Sequence, residues 1–194
     1  MDKKPWMFGC GALALGAGVL AVLLGGWAMS VNNQLVSLQE QMKASWAQVE
    51  TVLQRRYDLV PNLVATVKGY AEHEKEIFEN VARLRSQWSA AQTLPEKTKA
   101  ASEMEGALAR LLVVAENYPQ LKANENFRGL QDELAGTENR ISVERQRYNE
   151  AVQGYNTRVR QFPTALVASF LGFHVSDAYF NAAASAKEAP KVQF

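Results

Sequence analysis

No charged residue falls between Lys4 and Glu40, and apolar and small residues run unbroken from Trp6 to Met29. At ~1.5 Å per residue this run makes a helix of about 36 Å, enough to cross a ~30 Å hydrocarbon core with some tilt. Trp6 and Trp27 bracket it as interfacial anchors. Lys3 and Lys4 lie on the short side, so the positive-inside rule places residues 1–5 in the cytoplasm and everything after Ser30 across the membrane. A transmembrane helix over residues 6–29 is therefore expected, with no room for a cytoplasmic output domain. A cleaved signal peptide is the competing reading, because Gly26-Trp27-Ala28 has small-x-small character, but the run is long for one. Cys10 does not mark a lipoprotein, since the apolar run follows it instead of preceding it.

A step of alternately three and four residues organises the first half. It begins with Gly11, Ala14, Gly18, Ala21, Gly25 and Ala28, a stripe of small residues that lets two backbones approach closely in lipid. The stripe reads as a membrane self-association face; the alternative is that small residues are simply abundant in this span. The same register continues through Asn32, Leu35, Gln39, Met42, Trp46, Val49, Leu53, Arg56, Val60, Leu63, Val67, Tyr70, Glu74, Ile77, Val81, Leu84 and Trp88. Such a seam predicts long helices packed at a shallow angle. Pro61 interrupts it. It either kinks one long helix or starts a second, with Asp58 as N-cap; the continuous register favours the kink.

Thr93-Leu94-Pro95-Glu96 has the spacing of a capping box and opens a helix that buries Ala101, Met104, Leu108, Leu111 and Ala115 and stops before Pro119. A last long helix starts near Asn124, with Phe127, Leu130, Leu134, Ile141, Tyr148, Val152, Tyr155 and Val159 on its apolar face. Gly129 and Gly136 on that helix either mark a close contact or are merely tolerated. Phe162-Pro163 ends it. The fold class is all-α: one N-terminal transmembrane helix, then a bundle domain of long antiparallel helices over residues 30–161, running up and down in the manner of a four-helix bundle. Residues 162–186 are apolar and either cap that core or lie near the membrane; capping is favoured because an interfacial helix usually carries Lys or Arg on its polar face. Residues 187–194 form a tail.

Composition narrows the function. Beyond Lys4 the chain holds 19 basic and 19 acidic residues, so no basic field exists to hold nucleic acid. The one cysteine lies in the membrane run, which excludes disulfides within the domain. His73 sits in the charged run Glu72 to Glu76 with no second histidine at zinc spacing, and His174 has no carboxylate or cysteine at ligand spacing. Neither a nucleophile elbow nor a phosphate-cradling loop is present. No catalytic, metal-ligating or cofactor-binding residue is assigned, and no cofactor is expected. The polar residues that call for an explanation are Arg55, Arg56 and Asp58 beside Pro61, and Glu133, Glu138, Asn139 and Arg140 in the last helix. Arg56 falls on the apolar seam, where a charge must find a partner or reach water. Either Arg55 or Arg56 pairs with Glu133 or Glu138 across the bundle, or the long stems reach solvent.

Several segments resemble the LemA family. They include Leu53 to Val64 (LQRRYDLVPNLV), Val67-Lys68-Gly69-Tyr70, His73-Glu74, Tyr118 to Ala123 and Gln131 to Ile141. Tyr148-Asn149, Tyr155-Asn156, Phe162-Pro163, Gly172-Phe173, Tyr179-Phe180 and Pro190 to Phe194 fit as well. The resemblance implies a bacterial membrane protein with a short inside segment and an antiparallel four-helix bundle outside. It also implies a second helix beginning at Pro61. The family has no established enzymatic activity; signalling, peptide export and association with membrane metalloproteases are the roles it suggests.

The expectation is thus a non-enzymatic, single-pass scaffold or interaction protein of the cytoplasmic (inner) membrane. Its helical domain lies on the outside, and its partners are the lipid bilayer, further copies of itself and another membrane protein such as a metalloprotease. A partner-dependent role in transmembrane signalling or export is the alternative. A hydrolase or metal enzyme ranks below both.

Overall fold

The computed structural model describes residues 5–71 and 73–180, with side chains from residue 15 onward. The described residues are helical or irregular, without strands: α1 (Pro5–Lys68), α2 (Lys75–Ala90), α3 (Leu94–Glu116), α4 (Pro119–Ala123), α5 (Glu125–Arg160) and α6 (Thr164–Phe170). They divide into two compact units, residues 5–43 with 151–176, and residues 44–71 and 73–150 with 177–180.

In the first unit, α1 is the one described helix long and apolar enough to cross a membrane. From Leu15 to Ser30 its side chains are exposed, apart from a half-buried Ala28. Burial begins abruptly at Val31 and continues at Leu35, which pack with Tyr155 and Val159 of α5 and Ala168 of α6. The switch follows composition: large apolar residues occur on most faces of the turns before Ser30 and on one face after it. The Gly11 and Ala14 side chains of the small-residue stripe lie outside the described residues.

In the second unit, α1 runs through Pro61 without interruption and ends at Lys68. The second helix that the family resemblance implied at Pro61 is not found; the reversal comes after Gly69. The proline ring is exposed, so its cost is one ladder hydrogen bond and no lost packing. The seam does not continue through Tyr70 and Glu74 either. Gly69, with the lowest helix propensity after proline, is followed by tight bonds from Tyr70 N and Ala71 N to Val67 O. Tyr70 and His73 are exposed in this turn, so His73 lies between helices and not on one.

Helix α3 begins with the expected capping box. Glu96 N donates to Thr93 Oγ1 at 3.4 Å, and Glu96 Oε2 accepts from Thr93 N at 3.1 Å. Its buried face contains Ala101, Met104, Leu108, Leu111 and Ala115, with Ala100 and Ala107 beside them. Asn124 caps α5, its Oδ1 accepting from Phe127 N at 3.1 Å. A Cβ placed on Gly129 or Gly136 would meet nothing within 4 Å, so both glycines are tolerated and neither marks a close helix contact. The apolar stretch after Pro163 is no single amphipathic segment: the seven-residue α6 gives way at Gly172, φ +79°, to irregular backbone over 173–180.

Backbone donors, Thr93 N–H first, hold the exposed Glu96 carboxyl below the usual carboxylate range. A lowered folded-state value means stability present above the unfolded pKa of ~4.3 and lost as pH falls through the folded one. Separately, Thr93→Ala removes the Oγ1 that accepts from Glu96 N and should destabilise by about 1 kcal/mol, the usual cost of an N-cap. Glu96→Gln should lose stability at pH 7 and approach the parent protein as the pH drops below the unfolded value. Urea unfolding at several pH values checks both.

Candidate functional site

The most unusual chemistry lies in the second unit. Arg56 sits at the margin of the buried face of α1 with its side chain 12% exposed, and Glu138 of α5 faces it at 38%. Arg56 Nη1 donates to Glu138 Oε2. Nearby, Tyr57 stacks on Trp88 of α2 with ring centroids 4.7 Å apart. The Trp88 indole N–H donates to Gln54 Oε1 at 3.5 Å, and the Lys97 ammonium stands 5.8 Å from the Trp88 ring while pairing with Glu50. Arg145 directs both terminal nitrogens to Glu105 Oε2 at 3.4 Å. Burial pushes the Tyr57 phenol well above its usual range, and the neighbouring Arg56 and Arg145 charges offset only part of that. Tyr57 is thus a neutral phenol and no general base. The Arg56 Nε, Tyr57 hydroxyl, Arg145 Nε and Tyr148 hydroxyl are buried without a hydrogen-bond partner among the described residues.

Of the polar residues singled out in the sequence, Arg56 and Glu138 meet. Arg55, Glu133, Asn139 and Arg140 are exposed, and exposed Asp58 accepts from Gln54 Nε2 at 2.9 Å inside the helix, not as a cap. Helix geometry separates them: Arg55 is turned by about 100° from Arg56, and Glu133 by about 140° from Glu138. Tyr57 was not legible as a core position. Tyr57 lies beside seam position Arg56, four residues after Leu53 and three before Val60, both buried, so it shares their face of the helix.

A second device holds the backbone that follows α6. Asn149 donates from Nδ2 to Phe180 O at 3.0 Å and accepts from Phe180 N at 2.9 Å, like a neighbouring strand. Phe180 thereby completes a cluster with Trp46 and Tyr148, all three centroid distances being 5.6–5.7 Å, under the Arg145 guanidinium at 5.2 Å. In the first unit Asn156 grips Ser176 the same way, at 2.7 Å in both directions, and Tyr155 donates its hydroxyl to His174 O at 2.9 Å. The sequence signal for both is the Tyr-Asn pair repeated a heptad apart.

No group of three or more His, Cys, Asp or Glu able to hold a metal ion occurs among the described residues. His174 is exposed. The open groove between α2 and α3 mixes Glu96 and Glu103 with Arg83, Lys99 and Arg110, and Lys99 stands 3.9 Å from Glu103 as an exposed i,i+4 pair.

The LemA family model matches residues 45–194. The chain belongs to the LemA family. It is 27% identical to magnetosome protein MamQ 1 of Paramagnetospirillum magneticum over 175 aligned residues, which cover 77% of this chain and 64% of that protein. With MamQ of Magnetospirillum gryphiswaldense it shares 25% over 167 residues, 73% of this chain and 61% of the relative. With protein LemA of Metamycoplasma hominis it shares 24% over 145 residues, 73% and 65%. The chain thus spans somewhat less than two thirds of the length of these curated relatives. None of these names describes an enzyme. Together with the apolar helix they support a membrane-associated protein.

Removing one member of a buried pair strands the other, so Arg56→Met should cost about 1–3 kcal/mol, the lower part of that range because Glu138 is partly solvated. Arg56→Met with Glu138→Gln should cost ~1 kcal/mol less than the sum of the single changes in urea unfolding; strict additivity would contradict a direct coupling. Asn156→Ala should lower hydrogen-exchange protection at the Ser176 amide by about tenfold or more. Asn156→Asp should retain part of it, because a carboxylate still accepts from Ser176 N although it cannot donate to Ser176 O.

Proposed function

We propose that this protein is a membrane-anchored, non-enzymatic helical scaffold that self-associates through its span and presents its water-facing helices outside the cytoplasmic membrane. The observation that carries this reading is the bare stretch of α1: Leu15, Val19, Leu20, Val22, Leu23, Leu24 and Met29 are exposed on a helix that after Ser30 buries Val31, Leu35, Val49, Leu53, Val60, Leu63 and Val67. Large apolar residues left on most sides of a helix call for lipid, not for one protein groove. At about 100° per residue, the side chains from Leu15 to Ser30 leave one arc of about 100° that holds only Ala17, Gly18, Ala21, Gly25 and Ala28. A Cβ on Gly18 or Gly25 would meet nothing within 4 Å, so this arc is open to a second span. Lys3 and Lys4 before the span support an inside N-terminus.

The water-facing helices form, in this reading, an up-and-down bundle held in register by the Arg56–Glu138 pair. With no reacting group assembled, its output is a surface. Family membership and relatives without enzymatic names support the same reading. Disulfide crosslinking in native membranes, with Cys10 replaced by serine, tests it. Ala21→Cys should crosslink copies of the chain, and Leu23→Cys, about 160° away, should not. Equal crosslinking, or none at either position, would remove the self-association face.

A further inference from the structure

We infer that helix α6 is a second membrane contact, with Phe162, Leu166 and Phe170 seated in the lipid interface of the leaflet where the span ends. This rests on the reading of α1 as a membrane span and adds a site to it. Helix α6 is apolar on two faces and covers only one. Thr164 and Ala168 are buried, and Val167 packs with Phe173 against the cluster of Val31, Leu35, Tyr155 and Val159. The other face is bare: Leu166 is 65% exposed and Phe170 89%, and Phe162, two residues before the helix, is 78% exposed. Large apolar side chains left in water gain nothing from folding, and so many in one short segment mark a surface that is covered in the working protein.

What covers it follows from its position. Leu166, Val167, Phe170 and Leu171 form one wall of a groove whose other wall is Ala28, Met29, Asn32 and Asn33. That wall is the end of the span itself. If residues 15–29 lie in hydrocarbon, Leu166 and Phe170 stand at the boundary where the hydrocarbon stops, within the about 5–10 Å zone that interfacial helices occupy. No Asp, Glu, Lys, Arg or His occurs from Gln161 to Phe173, so no ionisable side chain on α6 resists entry, and exposed Arg160 precedes it at headgroup level. The absence of Lys and Arg on α6 argued for a cap and against an interfacial helix. The structure removes that conflict: the face that would carry the cations is packed on protein and never meets water. Helix α6 caps the core with Ala168 and leaves Phe170 for lipid.

Spin labels on the full-length chain test this in nanodiscs of phosphatidylethanolamine and phosphatidylglycerol, with Cys10 replaced by serine. Single cysteines replace Phe170, Leu23 in the span and Ala135 on the exposed side of α5; all three positions are exposed, so labelling disturbs no packing. Collision rates with oxygen, which concentrates in lipid, and with a water-soluble nickel chelate are compared. The expected result is a Phe170 label that resembles Leu23, with nickel collisions several-fold lower and oxygen collisions higher than at Ala135. A Phe170 label open to nickel while Leu23 is shielded overturns the α6 contact and leaves the span intact. Shielding of Phe170 from both reagents means that protein covers it, either residues 181–194 or a second copy, and also overturns the lipid contact. Nickel access at Leu23 overturns the span and the inference with it.

Discussion

The backbone hydrogen-bond ladder of α1 continues without a break past Ser30, where the surroundings of its side chains change from uncovered to packed. A helix that satisfies its own amides can pass from hydrocarbon into water without leaving any donor or acceptor stranded. This constraint explains why the chain uses one long helix at the boundary and not a linker. It also explains the composition on either side of Ser30. Before it the side chains are large and apolar or small on every side of the helix. After it the buried apolar residues contract to the stripe containing Val31 and Leu35.

Beyond that stripe the second unit adds a polar layer that a purely apolar core would not need. Arg56, Glu138, Glu105, Arg145, Glu50 and Lys97 are paired around the Tyr57–Trp88 stack, and four polar atoms there are left without partners among the described residues. Buried pairs of this kind add little net stability compared with hydrophobic side chains of the same volume. In the proposed scaffold they would penalise other registers, because sliding α5 along α1 would separate Arg56 from Glu138 and leave the largely buried guanidinium unpaired.

Much of this architecture was legible from side-chain period and capping chemistry. The long apolar helix could be read because about two dozen uncharged residues occur in one run, and α3 because Thr93, Pro95 and Glu96 occur together at fixed spacing. The continuation of α1 through Pro61 followed from the register of Leu53, Val60 and Leu63. Where the reading failed, a local conformation overrode a pattern that remained intact. Val67, Tyr70, Glu74 and Ile77 keep the spacing, yet Gly69 ends the helix, since periodicity records which face is apolar and says nothing about where the chain turns. The contacts of Asn149 and Asn156 were out of reach for another reason. A carboxamide that binds a distant backbone has no periodic signature, and the repeated Tyr-Asn pair marks importance without naming the partner. The two faces of α6 could not be separated because an apolar segment does not reveal which half a folded core will cover.

A distance measurement across the lipid boundary tests the continuous helix most directly. Spin labels at Leu23 and Gln41 are 18 residues apart, five full turns, so they share one side of α1 at ~27 Å. In bilayer nanodiscs, with labelled chains diluted by unlabelled ones, dipolar spectroscopy should give one narrow distribution near that value. A broad distribution, or one centred well short of it, would mean that the helix breaks where it leaves the lipid and would contradict the account.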